Sequence, residues 1–471
     1  MRAHEAGALH AEGYRGPAWL ETPFDVNALV PSLWASSVTR DGDGVVTVGG
    51  VPATRLAREF GTPAYVIDET DFRHRAREFK QQYAAEFTPL SGADVFYAGK
   101  AFLCTEIARW VEREGLNLDV CTGGELAVAR RAGFPGSRIG MHGNNKSVAE
   151  IRGGLEYGVA RIVVDSFEEI ERIADVAAQL GVVAPVLVRV NVGVEAHTHE
   201  FIATAHEDQK FGLSLAGGQA LEAVRRILAR PDTLRLLGLH SHIGSQIFDT
   251  SGFEVSARRV LGLHAMLTKE LGADLPELDL GGGFGIAYTT EHDPQPASRL
   301  AADMADIVER ECRAEGVPVP RISVEPGRAI AGPSTFTLYE VGTVKPVALD
   351  GGACRVYVSV DGGMSDNIRT ALYDAHFSCT LANRCSPAAP ALARVVGRHC
   401  ESGDIIVMDE FLPGDVGAGD LIAVPGTGAY CRALSSQYNH TPRPPVVAVR
   451  DGAARVIVRR ETIDDILALD V

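Results

Sequence analysis

The chain has 471 residues, with 45 Lys and Arg against 61 Asp and Glu, which gives a formal net charge of −16. This length suits two or three domains, and 46% hydrophobic with 23% charged residues excludes a disordered or fibrous chain. The negative charge and the absence of any run of Lys or Arg argue against nucleic acid as a partner.

Membrane and secretion signals are not found in the sequence. A membrane helix needs about 18 unbroken apolar residues, whereas the most apolar stretch, 182–194, is interrupted by Pro185, Arg189 and Asn191. The N-terminus lacks the apolar core of a signal peptide, so we expect a cytoplasmic protein that does not contact membranes. The eight cysteines are scattered without a CxxC pair, which predicts neither a zinc site nor disulfides.

The middle of the chain repeats a short β-rich run, a polar loop and a stretch with helical spacing. Eight such units in about 230 residues indicate a (β/α)8 barrel. An open doubly wound sheet is the main alternative, but it would show fewer strands and a GxGxxG turn after the first. The predicted strands are 94–98, 118–121, 138–142, 161–165, 185–191, 236–242, 277–280 and 321–325, with helices at 126–134, 167–181 and 253–272.

The two flanks differ from the middle because they hold β-rich runs separated by Gly, Pro and Asp turns. We therefore predict an α/β protein with two domains. The barrel is expected at 64–330, and a mostly antiparallel β domain at 26–63 plus 331–471. Residues 1–25 are expected to form a polar N-terminal extension.

Active sites of such barrels lie where the strands end, and Lys100 follows the first predicted strand. Phe96, Tyr97 and Phe102 suggest apolar surroundings, in which an amine loses its proton more easily and can react with an aldehyde. A lysine that extends from the rim into solvent is the alternative.

Strands six and seven are followed by candidate phosphate and ring contacts. Gly281, Gly282 and Gly283 offer bare backbone amides for a phosphate, or simply form a tight turn. Ser245 can reach the same phosphate, and His242 can lie flat on an aromatic ring. A zinc site at His240 and His242 is the alternative, but the sequence shows no carboxylate or third histidine at metal spacing nearby.

Strand eight ends in the string VEPGR, where Glu325 can keep a ring nitrogen protonated and Arg328 can bind an anion. A solvated turn with a weak surface ion pair is the alternative. An aldehyde acceptor, a phosphate cradle, a ring-stacking imidazole and an acid for a pyridine nitrogen together match pyridoxal 5′-phosphate. We therefore predict this cofactor.

The order of motifs along the chain resembles the diaminopimelate decarboxylase family, which has the alanine-racemase-like fold. The resemblance extends from about residue 25 to the C-terminus. It rests on YAGKA, HGNNKS, HSHIGSQ, LDLGGGFG, EPGR, SDNIRTALYDA, CESGD and GAYC.

This resemblance implies decarboxylation of meso-2,6-diaminopimelate to L-lysine and CO2, the last step of lysine synthesis. Lys100 would bind the cofactor aldehyde, and Cys400 would return a proton to the substrate carbon. The cofactor would contact Lys100, His242, Ser245, Gly281, Gly282, Gly283, Glu325, Pro326, Gly327, Arg328 and Tyr430. The substrate would contact Arg328, Arg369, Tyr373, Glu401 and Tyr430.

The resemblance also implies a homodimer in which Cys400 and Glu401 complete the site of the partner subunit. Alanine racemases of this fold have an Arg in the place of Glu325, which favours a decarboxylase here. Decarboxylases for ornithine, arginine or carboxynorspermidine remain possible, as does a pyridoxal-phosphate carrier protein, although carriers lack the β domain. We expect no metal.

Overall fold

The computed structural model describes residues 16–194, 209–349 and 353–471. The described residues form two compact units, one within residues 73–285 and 294–330 and the other within residues 16–72, 286–293 and 331–471. We call them the barrel unit and the β unit. No helix among the described residues is long and apolar enough to cross a membrane.

The barrel unit contains a closed parallel sheet of eight strands, because strand five pairs with strand four as well as with strand six. All eight predicted strands are confirmed, with bounds that shift by one to two residues. In chain order they are Ala93–Ala98, Asn117–Val120, Ile139–Met141, Arg161–Val164, Ala184–Asn191, Leu234–His240, Glu277–Asp279 and Arg321–Val324, and the short strand Leu213–Ser214 extends the sheet beside strand five.

A helix follows each barrel strand, which is the repeat expected of this fold. Strand residues such as Val163 and Leu187 are fully or nearly fully buried, since both faces of a parallel barrel sheet are covered. The helices are Thr105–Arg113, Gly123–Ala132, Val148–Tyr157, Phe167–Leu180, Gln219–Leu228, Ser251–Leu271, Ala297–Glu315 and Arg328–Ala331, and Glu69–Phe87 precedes the first strand.

Several of these helices begin with a side-chain cap that the sequence supplies. Ser147 accepts a hydrogen bond from the backbone N–H of Glu150, whose carboxylate in turn accepts from the backbone N–H of Ser147. Thr122 and Ser166 cap the helices after strands two and four by accepting from the backbone N–H groups of Glu125 and Glu169. Each cap satisfies amide groups that have no partner inside the helix, and it fixes where the loop after the strand must end.

The β unit contains a large, mostly antiparallel sheet and a small three-stranded one, as predicted. The large sheet comprises Ala64–Asp68, Thr335–Ala348, Cys354–Val360, Thr380–Leu381, Pro390–Val396, Ile405–Pro413, Leu421–Pro425, Val446–Arg450 and Ala453–Val458. The small one comprises Thr39–Arg40, Val46–Val48 and Val51–Pro52, and the unit's helices are Ala53–Phe60, Arg369–Tyr373 and Ile463–Leu467.

The boundary expected at residue 64 needs correction. Ala64–Asp68 was assigned to the barrel range, yet it pairs antiparallel with 335–338 and parallel with 446–449 in the large sheet of the β unit. All five of its residues are buried, because a strand in the middle of a sheet has neighbours on both edges. The segment 286–293 also belongs to the β unit.

The predicted N-terminal extension is described only in part, since residues 1–15 lie outside the described residues. Residues 16–25 group with the β unit. Trp19 makes an edge-on ring contact with His376, with centroids 5.8 Å apart. The described part of the extension is therefore packed against the β unit.

Candidate active site

The predicted cofactor residues other than Tyr430 follow four neighbouring barrel strands. Strands six, seven, eight and one are consecutive in the closed sheet, and the carboxyl ends of parallel strands lie at the same edge. This arc brings together the loops that carry Lys100, His242, Ser245, Gly281, Gly282, Gly283, Glu325, Pro326, Gly327 and Arg328.

The three glycines at 281–283 are required because neighbouring backbone atoms lie too close for side chains there. Gly281 and Gly283 have φ of +72° and +108°, in the region that favours glycine. A Cβ on Gly282 would collide with the backbone carbonyl oxygen of Glu325. The amide of Gly281 donates to Asp279 Oδ1 at 2.7 Å, so the three amides predicted for a phosphate are not all available to it.

His242 is oriented by the same glycine run. The amide of Gly282 donates to His242 Nδ1 at 3.3 Å, so Nδ1 carries no proton. Burial lowers the pKa of His242 well below its usual value, and the positive charge of Lys100 lowers it further. The ring is therefore a neutral imidazole with its proton on Nε2, a suitable face for an aromatic ring.

The loop after strand eight packs closely against the end of strand one. The amide of Ala98 donates to the Pro326 carbonyl oxygen at 3.3 Å, and a Cβ on Gly327 would lie 2.9 Å from the Ala98 Cβ. Arg328 is 9% exposed and donates through Nη2 to the Ser245 hydroxyl at 2.7 Å. Ser245 and Arg328, predicted to bind anions, thus contact each other.

Lys100 is exposed, whereas the sequence suggested apolar surroundings. The lysine lies two residues beyond the end of its strand, so strand alternation does not place it among the rings. Phe96, Tyr97 and Phe102 are buried, and the Tyr97 hydroxyl donates to the Phe102 carbonyl oxygen at 2.7 Å. The amine is accessible to an aldehyde, but these three aromatic residues do not enclose it.

Glu325 lies in a buried group of polar side chains that the sequence did not connect. Its Oε1 is 3.1 Å from His240 Nε2 and 3.3 Å from His142 Nε2. His142 Nε2 is also 3.1 Å from Asp119 Oδ1. Burial raises the pKa of Glu325, and the nearby His142 lowers it in part.

The sequence shows no carboxylate or third histidine close to His240 along the chain, but the fold supplies both. It brings His142 and Glu325 to His240, and one donor atom from each of the three lies within 4.8 Å of the others. Strand order could have indicated this proximity, since these residues end strands three, six and eight of one barrel. The partner of His240 is thus not His242, whose Nδ1 accepts from Gly282.

In the β unit, Arg369 is a buried cation, and two of its nitrogens have no hydrogen-bond partner among the residues that the structure describes. The residue is 7% exposed, and its Nε and Nη1 are buried and unbonded. The guanidinium lies 4.7 Å from the ring centroid of Tyr288 and 5.6 Å from that of Phe377. Ring faces attract the charge but accept only weak hydrogen bonds, so the fork is open to an anion.

Cys400 and Glu401 are exposed on a tight turn of the β unit. The carboxylate of Asp404 holds this turn by accepting from the backbone amides of His399 at 2.7 Å and Met364 at 2.6 Å. Cys400 is a free thiol. The turn therefore presents a thiol and a carboxylate side by side to solvent.

The two predicted tyrosines differ in their surroundings. Tyr373 is 60% exposed at the end of the short helix that Arg369 begins. Tyr430 is partly buried, and its φ of +63° is unusual for a residue other than glycine. Such a conformation persists where the surrounding structure holds it, often at functional sites.

The residues of the barrel unit fit pyridoxal 5′-phosphate. Lys100 offers an accessible amine, His242 a neutral ring face, and Glu325 a buried carboxylate whose Oε1 lies nearest to the two histidines. Gly281 to Gly283 bring backbone close to the site without side chains. Each group matches a different part of the cofactor.

Comparison with known proteins agrees with this fit. Residues 69–332 match the family model for the pyridoxal-binding domain of pyridoxal-dependent decarboxylases. The chain is 59% identical to diaminopimelate decarboxylase of Mycobacterium tuberculosis over 94% of this chain and 98% of the relative. It is 56% identical to the Mycobacterium leprae enzyme over the full length of both.

A solved structure extends the comparison to the fold. Diaminopimelate decarboxylase of M. jannaschii, crystallised with L-lysine, superposes with a TM-score of 0.86 at 30% identity, and the match covers 93% of this chain and 98% of that one. The fold, the family model and the identity over nearly the whole chain all agree. The chain therefore belongs to the diaminopimelate decarboxylase family of pyridoxal-phosphate-dependent decarboxylases.

Proposed function

We propose that this chain decarboxylates meso-2,6-diaminopimelate to L-lysine and CO2, the last step of lysine biosynthesis. Bound pyridoxal 5′-phosphate supplies the electron sink that breaking a bond between an α-carbon and its carboxylate requires. The protein binds that cofactor, orients the substrate and moves the protons. Its cytoplasmic location stays a prediction from the sequence.

The observation that carries the choice of substrate is the open guanidinium of Arg369. Diaminopimelate has a carboxylate at the end that does not react, and an arginine fork can bind a carboxylate through two parallel hydrogen bonds. Nε and Nη1 of Arg369 are buried without a partner in the described part of the chain, and an anion bound there would offset the burial of this cation. Ornithine and arginine have no distal carboxylate to supply.

The remaining roles follow from chemistry and position. Lys100 holds the cofactor aldehyde through its amine, and Glu325 holds a proton at the ring nitrogen. Cys400 delivers a proton to the α-carbon after CO2 leaves, since its exposed free thiol can act as a general acid. Glu401 binds the distal ammonium of the substrate.

We propose further that the active form is a homodimer in which Cys400 and Glu401 of one subunit complete the Lys100 site of the other. Both residues are exposed on their turn, and a substrate ammonium would offset the charge of Glu401. Mixing the inactive variants Lys100→Ala and Cys400→Ala tests this. Hybrid dimers have one intact site and should regain activity, whereas no recovery would contradict the shared site.

A substrate panel tests the proposed activity. Release of CO2 is measured from meso-diaminopimelate, L-ornithine, L-arginine and carboxynorspermidine with the same holoenzyme. We expect kcat/KM for meso-diaminopimelate to exceed that for ornithine by roughly a hundredfold or more, because a site built to bind a polar group discriminates strongly against an analogue without it. Equal or faster turnover of ornithine would contradict the proposal, and no turnover of any of the four would favour a carrier protein.

A further inference from the structure

Two histidines meet the Glu325 carboxylate from different strands of the barrel. His240 ends strand six and His142 follows strand three, and their Nε2 atoms lie 3.1 Å and 3.3 Å from Oε1 of Glu325. The two rings cross at 67° with centroids 5.2 Å apart. All three residues are at most 7% exposed. The proposed function gives Glu325 a role but uses neither histidine.

Both histidines are neutral near pH 7. Burial lowers the pKa of His142 to about 4, and it lowers the pKa of His240 well below the usual value. A neutral imidazole has one N–H group, and its other nitrogen is an acceptor. The contact with a carboxylate is favourable only if Nε2 carries the proton, because two lone pairs would otherwise face each other.

The other nitrogen of His240 supports the same tautomer. Nδ1 of His240 is buried and has no hydrogen-bond partner. With the proton on Nε2, only an acceptor at Nδ1 is left unsatisfied. With the proton on Nδ1, a buried donor would lack an acceptor while Nε2 faced the carboxylate, and an unsatisfied buried donor is costly.

Burial raises the pKa of Glu325, and the charged groups around it act in both directions. Arg161 and Lys100 favour the carboxylate, whereas Asp119 and the buried Asp279 oppose it. Burial is the main cause of the lowered pKa of both histidines, and the charges of Arg161 and Arg189 lower it further. The N–H of His240 donates to Glu325 and favours its charged form. The N–H of His142 is shared, because its Nε2 lies 3.1 Å from Asp119 Oδ1 and 3.3 Å from Glu325 Oε1.

The Nε2 atoms of both histidines lie nearest to the same oxygen, Oε1, which leaves Oε2 for another donor. A protonated pyridine nitrogen is such a donor. We propose that His240 and His142 are positioning residues that hold Glu325 as a carboxylate with Oε2 available to the cofactor ring nitrogen, and thereby keep a proton on that nitrogen. This inference rests on the proposed function, since it assigns how Glu325 performs its part.

The test reads the protonation of the ring nitrogen directly. Holoenzyme is reconstituted with pyridoxal phosphate labelled with 15N in the ring, and the 15N chemical shift reports whether the nitrogen carries a proton. His240→Leu removes the donor and should move the shift toward that of the unprotonated ring. His240→Gln retains a side-chain N–H of similar reach and should stay close to the wild-type shift.

His264→Leu is the matched control. His264 is also a buried histidine of the barrel unit, with a pKa lowered by burial, but its Nε2 contacts the Leu275 carbonyl oxygen at 3.0 Å. We expect its 15N shift to match the wild type. His142→Leu should shift the signal in the same direction as His240→Leu, and it provides the test if that variant does not fold.

Kinetics provide the second measurement. His240→Leu should lower kcat on meso-diaminopimelate by about tenfold or more, as loss of a hydrogen bond to a charged group predicts, with little change in KM. A wild-type 15N shift together with wild-type kcat in the Leu variants would overturn the inference. So would a stoichiometric metal ion in wild-type holoenzyme that is lost in His240→Leu.

Failure of this inference can be told apart from failure of the proposed function. If only the inference fails, wild-type holoenzyme still turns over meso-diaminopimelate while the 15N shift of the Leu variants does not move. If the proposed function fails, the wild-type holoenzyme itself does not release CO2 from that substrate.

Discussion

Arg369→Met should weaken substrate turnover while making the protein more stable. In the wild type, the guanidinium is 7% exposed with Nε and Nη1 unbonded, and an unsatisfied buried polar group costs about 1–3 kcal/mol. The cation–π contacts with Tyr288 and Phe377 offset about 0.5–2 kcal/mol of this cost. Met retains an apolar stem of similar length and has no charge to bury.

The net expectation is a gain of about 1 kcal/mol in the free energy of unfolding, or roughly 2–4 °C in the Tm of a unit this size. Turnover should change in the opposite direction. Losing hydrogen bonds from a guanidinium to a carboxylate costs about 3 kcal/mol or more, which lowers kcat/KM for meso-diaminopimelate roughly a hundredfold.

The assays are calorimetric unfolding without substrate and CO2 release across substrate concentrations. Arg384→Met is the matched control, since Arg384 lies in the same unit but is already paired with Asp420 at 2.8 Å and Asp415 at 3.1 Å. It should leave kcat/KM unchanged and slightly lower the Tm. An Arg369→Met variant with kcat/KM within about threefold of wild type, or with a Tm that falls, would refute the reasoning.

Three further predictions concern other residues. Lys146 forms a buried ion pair with Glu169 at 3.0 Å, so Lys146→Met should lower the free energy of unfolding by about 3–5 kcal/mol, measured by urea unfolding. Adding Glu169→Gln should recover part of this loss. A loss below about 1 kcal/mol for Lys146→Met would show that the pair is unimportant. Burial raises the pKa of Glu410 from 4.5 to about 7, so the folded state binds this proton more tightly. The stability that protonated Glu410 contributes is fully present below pH 4.5 and is lost as the pH rises through about 7. Glu410→Gln should therefore flatten the decline of unfolding free energy between about pH 5 and 8, and an unchanged slope would show that Glu410 does not titrate there. Cys400→Ala should retain the cofactor absorbance but lower kcat about a hundredfold or more. Cys354→Ala, at another exposed thiol, should not lower it, and equal activities of the two variants would argue against Cys400 as the proton donor.

The barrel could be predicted from the sequence because its signals are local. Each strand is a short apolar run followed by a loop and a helix with period 3.6, so strands and helices alternate along the chain in the order in which they pack. Ala64–Asp68 shows where this reasoning fails. It resembles the barrel strands in composition, and only its pairing with residues far along the chain, at 335–338 and 446–449, assigns it to the β unit.

The sequence predicts which residues stand at the end of each strand, but it does not predict the contacts between side chains of different strands. Lys100, His242 and Glu325 were identified because each follows a strand, and the fold brings those strand ends together. The contacts of His142 and His240 with Glu325 depend on how side chains from strands three, six and eight meet inside the barrel. No spacing along the chain encodes that meeting.

The burial and hydrogen bonding of Arg369 also could not be predicted from the sequence. The resemblance suggested that this residue binds substrate, but not that two of its nitrogens are buried without a partner between the rings of Tyr288 and Phe377. Burial of a charge depends on all the elements packed around it, and hydropathy along the chain does not report it. The same holds for the exposure of Lys100.

The most direct test of the account is to find the lysine that holds the cofactor. The chain has only six lysines, at 80, 100, 146, 210, 269 and 345, so borohydride reduction of the holoenzyme followed by peptide mapping gives an unambiguous answer. The account predicts loss of the cofactor's visible absorbance and a single pyridoxyl label on Lys100. A label on Lys210 or Lys146, or no label on any lysine, would contradict it.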